Sequence, residues 1–202
     1  SAERAPTRST VVLARGTRDR PIRLLPASAA GPWGTFALQG AGAAGSIVAH
    51  AEIAGGGGSV VDRIEYIGMV NVHRADDVTF ADVLFRDNVR SDDTFHAMHA
   101  RVWVIRCHFL RANSDALDMD IASGEIRDTR FELTAGDAID LMTSTPRIIG
   151  NTITGSGDKG ISIGEASRPF VFNNVIDSCT IGIEVKDRSE PILLNNLVTR
   201  NR

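Results

Sequence analysis

The stretch Asp115-Ala-Leu-Asp-Met-Asp-Ile121 alternates acidic and apolar residues, and its apolar positions return in the segments that follow. Such alternation is the spacing of a β-strand with one buried face, and a helix would instead place apolar residues three and four apart. The later apolar pairs are Ile139 and Leu141, Ile161 and Ile163, and Ile183 and Val185. Equivalent residues lie 22 positions apart, which indicates a repeat architecture.

Two further columns of apolar residues keep the same interval. They are Phe109, Phe131, Ile153, Val175 and Leu197, and Val104, Ile126, Ile148, Phe170 and Ile192. A repeat of about 22 residues with two or three short strands and no helical segment is typical of one coil of a right-handed parallel β-helix. Leucine-rich repeats have a similar length, but their consensus is missing here. The sequence therefore predicts an all-β fold, a single-stranded right-handed parallel β-helix of about eight coils.

The coils become regular at Gly68. We expect one domain over residues 1–202, in which 1–67 form irregular N-terminal coils and a cap and 68–202 form regular coils. Because a solenoid needs its last coil covered, and because the chain begins with Ser1, we expect it to be part of a longer protein, with other domains among its partners.

Composition excludes several functions. The net charge of −3 comes without a basic stripe, which argues against nucleic acid as a partner. No apolar run approaches the length that would insert into a membrane. Cys107 and Cys179 occupy different positions of the repeat, three coils apart, so we expect two free thiols.

Asparagines recur at one position of the last repeats. Asn151, Asn173 and Asn195 each precede an apolar column residue by two positions, and they predict an asparagine ladder whose amides bond from coil to coil. Thr129 and Cys107 continue the same column without amides.

Acidic residues form two columns beside the strands. The first contains Asp93, Asp115 and Asp137, with Asp158 following 21 residues later; the second contains His96, Asp118 and Asp140 and, if one residue is inserted near Lys159, Ser162 and Glu184. Asp120 and Lys186 stand two residues farther along their strands. The alternation points the second column outward.

Stacked like charges require a raised carboxyl pKa, a bound cation or a basic partner. A raised pKa suits a general acid, so Asp115, Asp118, Asp137 and Asp140 are the candidate catalytic residues. A cation would be calcium, with Asp118 and Asp140 as its candidate ligands, and calcium is the one cofactor that the sequence suggests. Asp is also a common residue in turns that enter strands, so a structural role stays open.

Other polar residues join this candidate face. The only two lysines, Lys159 and Lys186, lie beside acidic neighbours and would bind either those acids or a substrate carboxylate. Of the histidines, His96, with His73 as a second candidate, should share the face. Trp103 should point outward, either as a platform for sugar stacking or packed on a loop. The candidate substrate-binding set is His96, Trp103, Asp120, Lys159, Glu184 and Lys186.

Four motifs on successive coils resemble those of polygalacturonase-type glycoside hydrolases, within the pectate-lyase-like superfamily. They are Asn113-Ser-Asp-Ala116, Gly136-Asp-Ala-Ile139, Gly157-Asp-Lys-Gly-Ile-Ser-Ile-Gly164 and Gly182-Ile-Glu-Val-Lys186. The resemblance implies catalytic roles for Asp115 and Asp137 and substrate binding by Lys186. The chain departs from that pattern where Ala138 replaces the second Asp of a pair, Lys159 replaces a His and Glu184 replaces an Arg. The same stretch also resembles secreted bacterial β-helix repeats.

These observations predict an extracellular or envelope-associated protein that recognises or processes an acidic or neutral polysaccharide on its acidic strand face. As an enzyme it would be a hydrolase, a lyase or an epimerase. The alternative is a noncatalytic surface, scaffold or adhesion module whose acids are paired internally. Short turns after Gly68 favour that alternative, and a walled groove with accessible carboxylates would favour the first.

Overall fold

A computed structural model describes residues 10–27 and 31–202, and the parts of the predicted N-terminal cap at 1–9 and 28–30 lie outside it. The described residues form short strands and one 3-10 turn, Ala41–Ala43. Among them, no helix has the length and hydropathy needed to cross a membrane. In chain order the strands are β1 Leu13–Arg15, β2 Ile22–Leu24, β3 Phe36–Gln39, β4 Ile47–Ala54, β5 Ser59–Val61, β6 Ile64–Tyr66, β7 Gly68–His73, β8 Val78–Arg86, β9 Asp93–Met98, β10 Arg101–Ile105, β11 His108–Leu110, β12 Asp115–Asp120, β13 Ser123–Arg127, β14 Arg130–Glu132, β15 Ile139–Met142, β16 Arg147–Ile149, β17 Thr152–Thr154, β18 Lys159–Gly164, β19 Phe170–Phe172, β20 Val175–Asp177, β21 Ile181–Val185, β22 Ile192–Leu194 and β23 Leu197–Thr199.

The strands confirm the predicted right-handed parallel β-helix. Sheet 1 has 14 strands. Its long strand β8 pairs with β4 on one side and with both β10 and β11 on the other, and these begin two parallel rows, β10-β13-β16-β19-β22 and β11-β14-β17-β20-β23. Sheet 2 is β3-β7-β9-β12-β15-β18-β21. Its seven strands make about six turns within the described residues, fewer than the eight expected, because the N-terminal strands stack less regularly than the repeat implies. Strands β5 and β6 form an antiparallel hairpin.

The core is a column of apolar side chains that runs along the axis between the sheets. The inward residues of sheet 2, such as Leu117 and Met119, are fully buried, as the alternation predicts. On sheet 1, the ring of Phe109 stacks between those of Phe85 and Phe131, with centroids 4.6 and 4.8 Å away. Cys107 and Cys179 are buried free thiols, which confirms that expectation.

One extra residue shifts the predicted columns of sheet 1. The pairing is Ile153 with Ile176 and Ile148 with Val171, so the columns do not continue through Val175 or Phe170 as predicted. Ser144 pairs with Ser167, 23 residues on, whereas Met142 still pairs with Gly164, 22 residues on. The added residue therefore lies in the corner after β18, where Glu165 and Ala166 both take positive φ values of 50° and 62°.

The same shift corrects the asparagine ladder. The ladder contains the buried residues Cys107, Thr129, Asn151 and Asn174 and the half-buried Asn196. Each side chain from Thr129 onward accepts a hydrogen bond from a backbone N–H of the coil before it. Asn173 and Asn195 stand one position earlier, at a left-handed corner with φ of 62° and 53°. Asn tolerates that conformation better than most residues do. The left-handed turn and the ladder, which the sequence suggested were one column, are thus two neighbouring columns.

Candidate functional site

The outward face of sheet 2 holds most of the residues expected to act. His96, Asp118, Asp140, Ser162 and Glu184 stand in unbroken register on successive coils, and we call this column the outer file. The file confirms the predicted alignment of these five residues. The insertion expected near Lys159 is absent, because the extra residue lies in the later corner instead.

A second column, which we call the edge file, lies at the edge of sheet 2 where the strands begin. Asp93 pairs with Asp115, whose Oδ1 accepts the N–H of Asp137 at 2.6 Å, and Asp137 Oδ1 accepts the N–H of Lys159 at 2.8 Å. Lys159, and not Asp158 as predicted, therefore continues this edge file, since no residue is missing between the two coils. These side-chain to backbone bonds give Asp115 and Asp137 a structural role in joining successive coils.

Both lysines bind acids within the protein. Lys159 Nζ lies 3.5 Å from Asp137 and contacts Asp158, and Lys186 Nζ lies 3.2 Å from Glu184. The side chain of Lys159 is 14% exposed and that of Lys186 is 41% exposed. Lys186 is therefore the one that could also reach a bound ligand.

A third outward column contains His73, Met98, Asp120 and Met142, and two of its members join the outer file through hydrogen bonds. His96 Nδ1 lies 3.0 Å from His73 Nε2, and His96 Nε2 lies 3.3 Å from Asp120 and 3.9 Å from Asp118. Burial lowers the pKa of His73 to about 4, so its imidazole is neutral at neutral pH. These hydrogen bonds place His73 on the acidic face. The Tyr66 ring stacks on the His73 ring, with the two centroids 5.3 Å apart.

Four carboxyl groups of the face, those of Asp93, Asp115, Asp118 and Asp137, have raised pKa values. Burial, reinforced by neighbouring carboxylates, raises the pKa of Asp93 to about 8 and that of Asp118 to about 9. Burial also raises the pKa of Asp115 to about 6, although the N–H of Asp137 opposes the shift. Burial also raises the pKa of Asp137, although the N–H and the ammonium group of Lys159 both oppose the shift.

The acids and His96 form two groups whose ligand atoms lie within 4.8 Å of one another. One is Asp93, His96 and Asp118, and the other is Asp115, Asp137 and Asp140. Asp118 and Asp140, predicted as ligands of one calcium ion, are neighbours in the outer file but belong to different groups. The sequence pointed to the column of Asp93 without identifying Asp93 as a site residue, because its burial depends on the fold.

Trp103 is remote from this face in the topology. It points outward as expected, but it lies on β10 of sheet 1, where the Arg101 guanidinium sits 5.7 Å from the ring centroid. Beside sheet 2 the hairpin β5–β6 borders a cavity of about 400 Å³, lined also by Arg90, Ser91 and Asp92. The sequence did not predict this hairpin, since it does not follow the 22-residue repeat.

Comparison with known proteins gives one match. The family model described as "Right handed beta helix region" matches residues 68–202. No curated protein and no solved structure matches the chain.

Proposed function

Because the chain belongs to the right-handed β-helix family, we propose that it recognises and processes a polysaccharide along the outer face of sheet 2, outside the cell or at its envelope. The observation that carries the proposal is the outer file itself, in which Asp118 and Asp140 face outward without a basic residue of the described chain within 4.0 Å, His96 excepted. Carboxylates in this arrangement accept hydrogen bonds from sugar hydroxyls.

The spacing of the file suits an extended polymer. Coils repeat every ~4.8 Å, so a chain lying along the axis meets an equivalent position at each step. The face is also polar along its length, since acids dominate from Asp93 to Asp140 and lysines enter at Lys159 and Lys186. An acidic sugar would place its carboxylate at the lysine end, with Lys186 as the accessible cation.

Proton transfer would use the second acidic group. The half-buried Asp115 keeps a raised pKa of about 6, close to that of an efficient acid or base near neutral pH, and Asp140 lies within 4.8 Å as its partner carboxylate. Inverting hydrolases separate their carboxyls by about 6.5–9.5 Å. The shorter distance argues against an inverting hydrolase and in favour of a lyase, an epimerase or a retaining reaction.

A noncatalytic scaffold is the second candidate. It is favoured by the ion pairs of Lys159 with Asp137 and of Lys186 with Glu184, which balance charge inside the last coils. The same pairing does not extend to Asp115, Asp118 or Asp140, which have no Lys or Arg of the described chain within 4.0 Å.

The test is a panel of neutral and uronate-containing polysaccharides, incubated with the protein with and without a chelator. New reducing ends indicate hydrolysis, and ultraviolet absorption by an unsaturated product indicates a lyase. A change in sugar composition of an uncleaved polymer indicates an epimerase. Asp115→Asn and Asp140→Asn should each abolish turnover, because both keep the backbone hydrogen bonds that Asp115 and Asp140 accept but cannot transfer a proton.

Asp128→Asn is the matched control, since Asp128 lies at a left-handed corner that Asn tolerates and its side chain is 51% exposed. Binding of a glycan without turnover would refute the processing part of the proposal and leave recognition as the function. Absence of binding to every glycan tested would favour the scaffold.

A further inference from the structure

Asp93, His96 and Asp118 form a mixed oxygen and nitrogen cluster at the N-terminal end of the outer file. Asp93 begins β9, His96 follows on the same strand, and Asp118 lies opposite His96 on β12. One ligand atom from each lies within 4.8 Å of the others. Donors of one ion stand at most about 4 Å apart, twice a metal–ligand bond, so closure requires movements of less than about 1 Å.

One oxygen of the buried Asp93 carboxylate lacks a partner among the described residues. Asp93 is 2% exposed, and its Oδ2 atom makes no hydrogen bond within that part of the chain. A buried carboxylate oxygen without a donor is costly, and such atoms in native proteins usually bind water or an ion. Because the Asp93 carboxylate faces His96 and Asp118, a cation held between them would satisfy it.

Charge distinguishes this cluster from its neighbour. In the group of Asp115, Asp137 and Asp140, the Lys159 ammonium already lies 3.5 Å from Asp137. Within the described residues, no Lys or Arg lies within 4.0 Å of the Asp93 or Asp118 carboxylate. The first cluster is therefore the one that no lysine or arginine of the described residues already occupies.

We propose that Asp93, His96 and Asp118 bind one divalent transition metal ion of the zinc class. The imidazole decides the class, because calcium prefers six to eight oxygen ligands whereas nitrogen and carboxylate donors together suit zinc and its neighbours. His96 would bind through Nε2, the atom that faces Asp118 and Asp120. His73 Nε2, which lies 3.0 Å from His96 Nδ1, would accept a hydrogen bond from the Nδ1–H and so orient the ring, as outer partners of metal-bound histidines do.

The test uses Zn²⁺ alone with the chelator-treated full chain, so it is independent of any glycan. Elemental analysis after dialysis and titration calorimetry should give one equivalent of zinc per chain. Asp93→Asn, His96→Gln and Asp118→Asn should each weaken binding by about a hundredfold or more, since each removes a direct ligand. Asp140→Asn is the matched control and should change the affinity less than about twofold. Calcium should bind far more weakly than zinc at this cluster.

Substoichiometric zinc in the wild-type protein would overturn the proposal. So would a zinc affinity in the three ligand variants equal to that of the wild-type protein. Loss of binding in Asp140→Asn but not in Asp93→Asn would place the ion in the other group and also contradict it. Should a variant misfold, long-range proton–nitrogen NMR spectra of the wild-type protein test the same assignment. Zinc must shift the His96 Nε2 resonance, and an unchanged His96 signal at saturating zinc refutes the assignment.

Discussion

Asn174 and Asn173 are adjacent in sequence, yet the structure gives them different roles, so the same substitution should have different costs. Asn174 is 1% exposed, and its Oδ1 accepts two bonds from Asn151, one from the backbone N–H and one from the amide, both at 2.9 Å. Its Nδ2 donates to Ile148 O and to Asn196, also at 2.9 Å. Asn173 is exposed, and its side chain accepts a bond from the amide of Asn195.

Asn174→Ala leaves the buried N–H of Asn151 without an acceptor and removes a donor from Ile148 O. Each unsatisfied buried group costs about 1–3 kcal/mol, so we expect a loss of about 3 kcal/mol in the free energy of unfolding. Asn173→Ala breaks an exposed bond and places Ala at φ 62°, for a loss of about 1 kcal/mol. Asn173→Gly should be close to wild type, because glycine adopts that conformation freely.

Equilibrium denaturation in urea, followed by circular dichroism, measures these differences from the midpoints at a common slope. The reasoning is refuted if Asn173→Ala costs as much as Asn174→Ala, or more, because the ladder would then run through Asn173 as the 22-residue count predicts.

Three further predictions concern the core and the corners. Phe109→Ala should cost about 3–5 kcal/mol in the same denaturation assay, since the ring is fully buried in an aromatic stack and little can fill the cavity. Cys107 and Cys179 should not react with a thiol reagent in the native protein and should both react after unfolding, because both are buried. Burial raises the pKa of Cys107 to about 12, and labelling of Cys107 in the native protein would contradict this prediction. The Arg106 guanidinium, in a bidentate pair, lowers the pKa of Asp82, so the pair stabilises the fold above the unfolded pKa of about 4 and loses that contribution as the pH falls through the folded value. Arg106→Asn should therefore cost at most about 1 kcal/mol at neutral pH, because the pair is largely exposed, and its difference from wild type should vanish in strong acid and shrink in high salt.

The sequence predicts sheet 2 well because its pattern is strict. Alternation fixes which residues face outward, and the constant interval aligns His96, Asp118 and Asp140 without any structural information. Sheet 1 is harder after the corner at Glu165, since neighbouring residues of similar chemistry hide the shift. Val175 and Ile176 are both aliphatic, so the residue types alone favour neither register.

The chemistry of the site is less accessible to sequence reasoning. Contacts such as that between His73 and His96 depend on side-chain direction across two coils, and the burial of Asp93 depends on what covers the start of β9. The hydrogen bond from the Lys159 N–H to Asp137 Oδ1 depends only on an exact count of the 22-residue interval. The first two are properties of three-dimensional neighbours that the repeat does not specify.

The corner at Glu165 and Ala166 shows that this fold absorbs a change in chain length locally. The added residue alters the count on sheet 1, yet the strands on both sides continue to stack and the Ser144–Ser167 bond still forms across the change. Loops of new length could therefore be grafted at such corners, one coil at a time, without redesign of the interior. Related chains could lengthen or shorten the loops that border a bound ligand while keeping the same hydrophobic core.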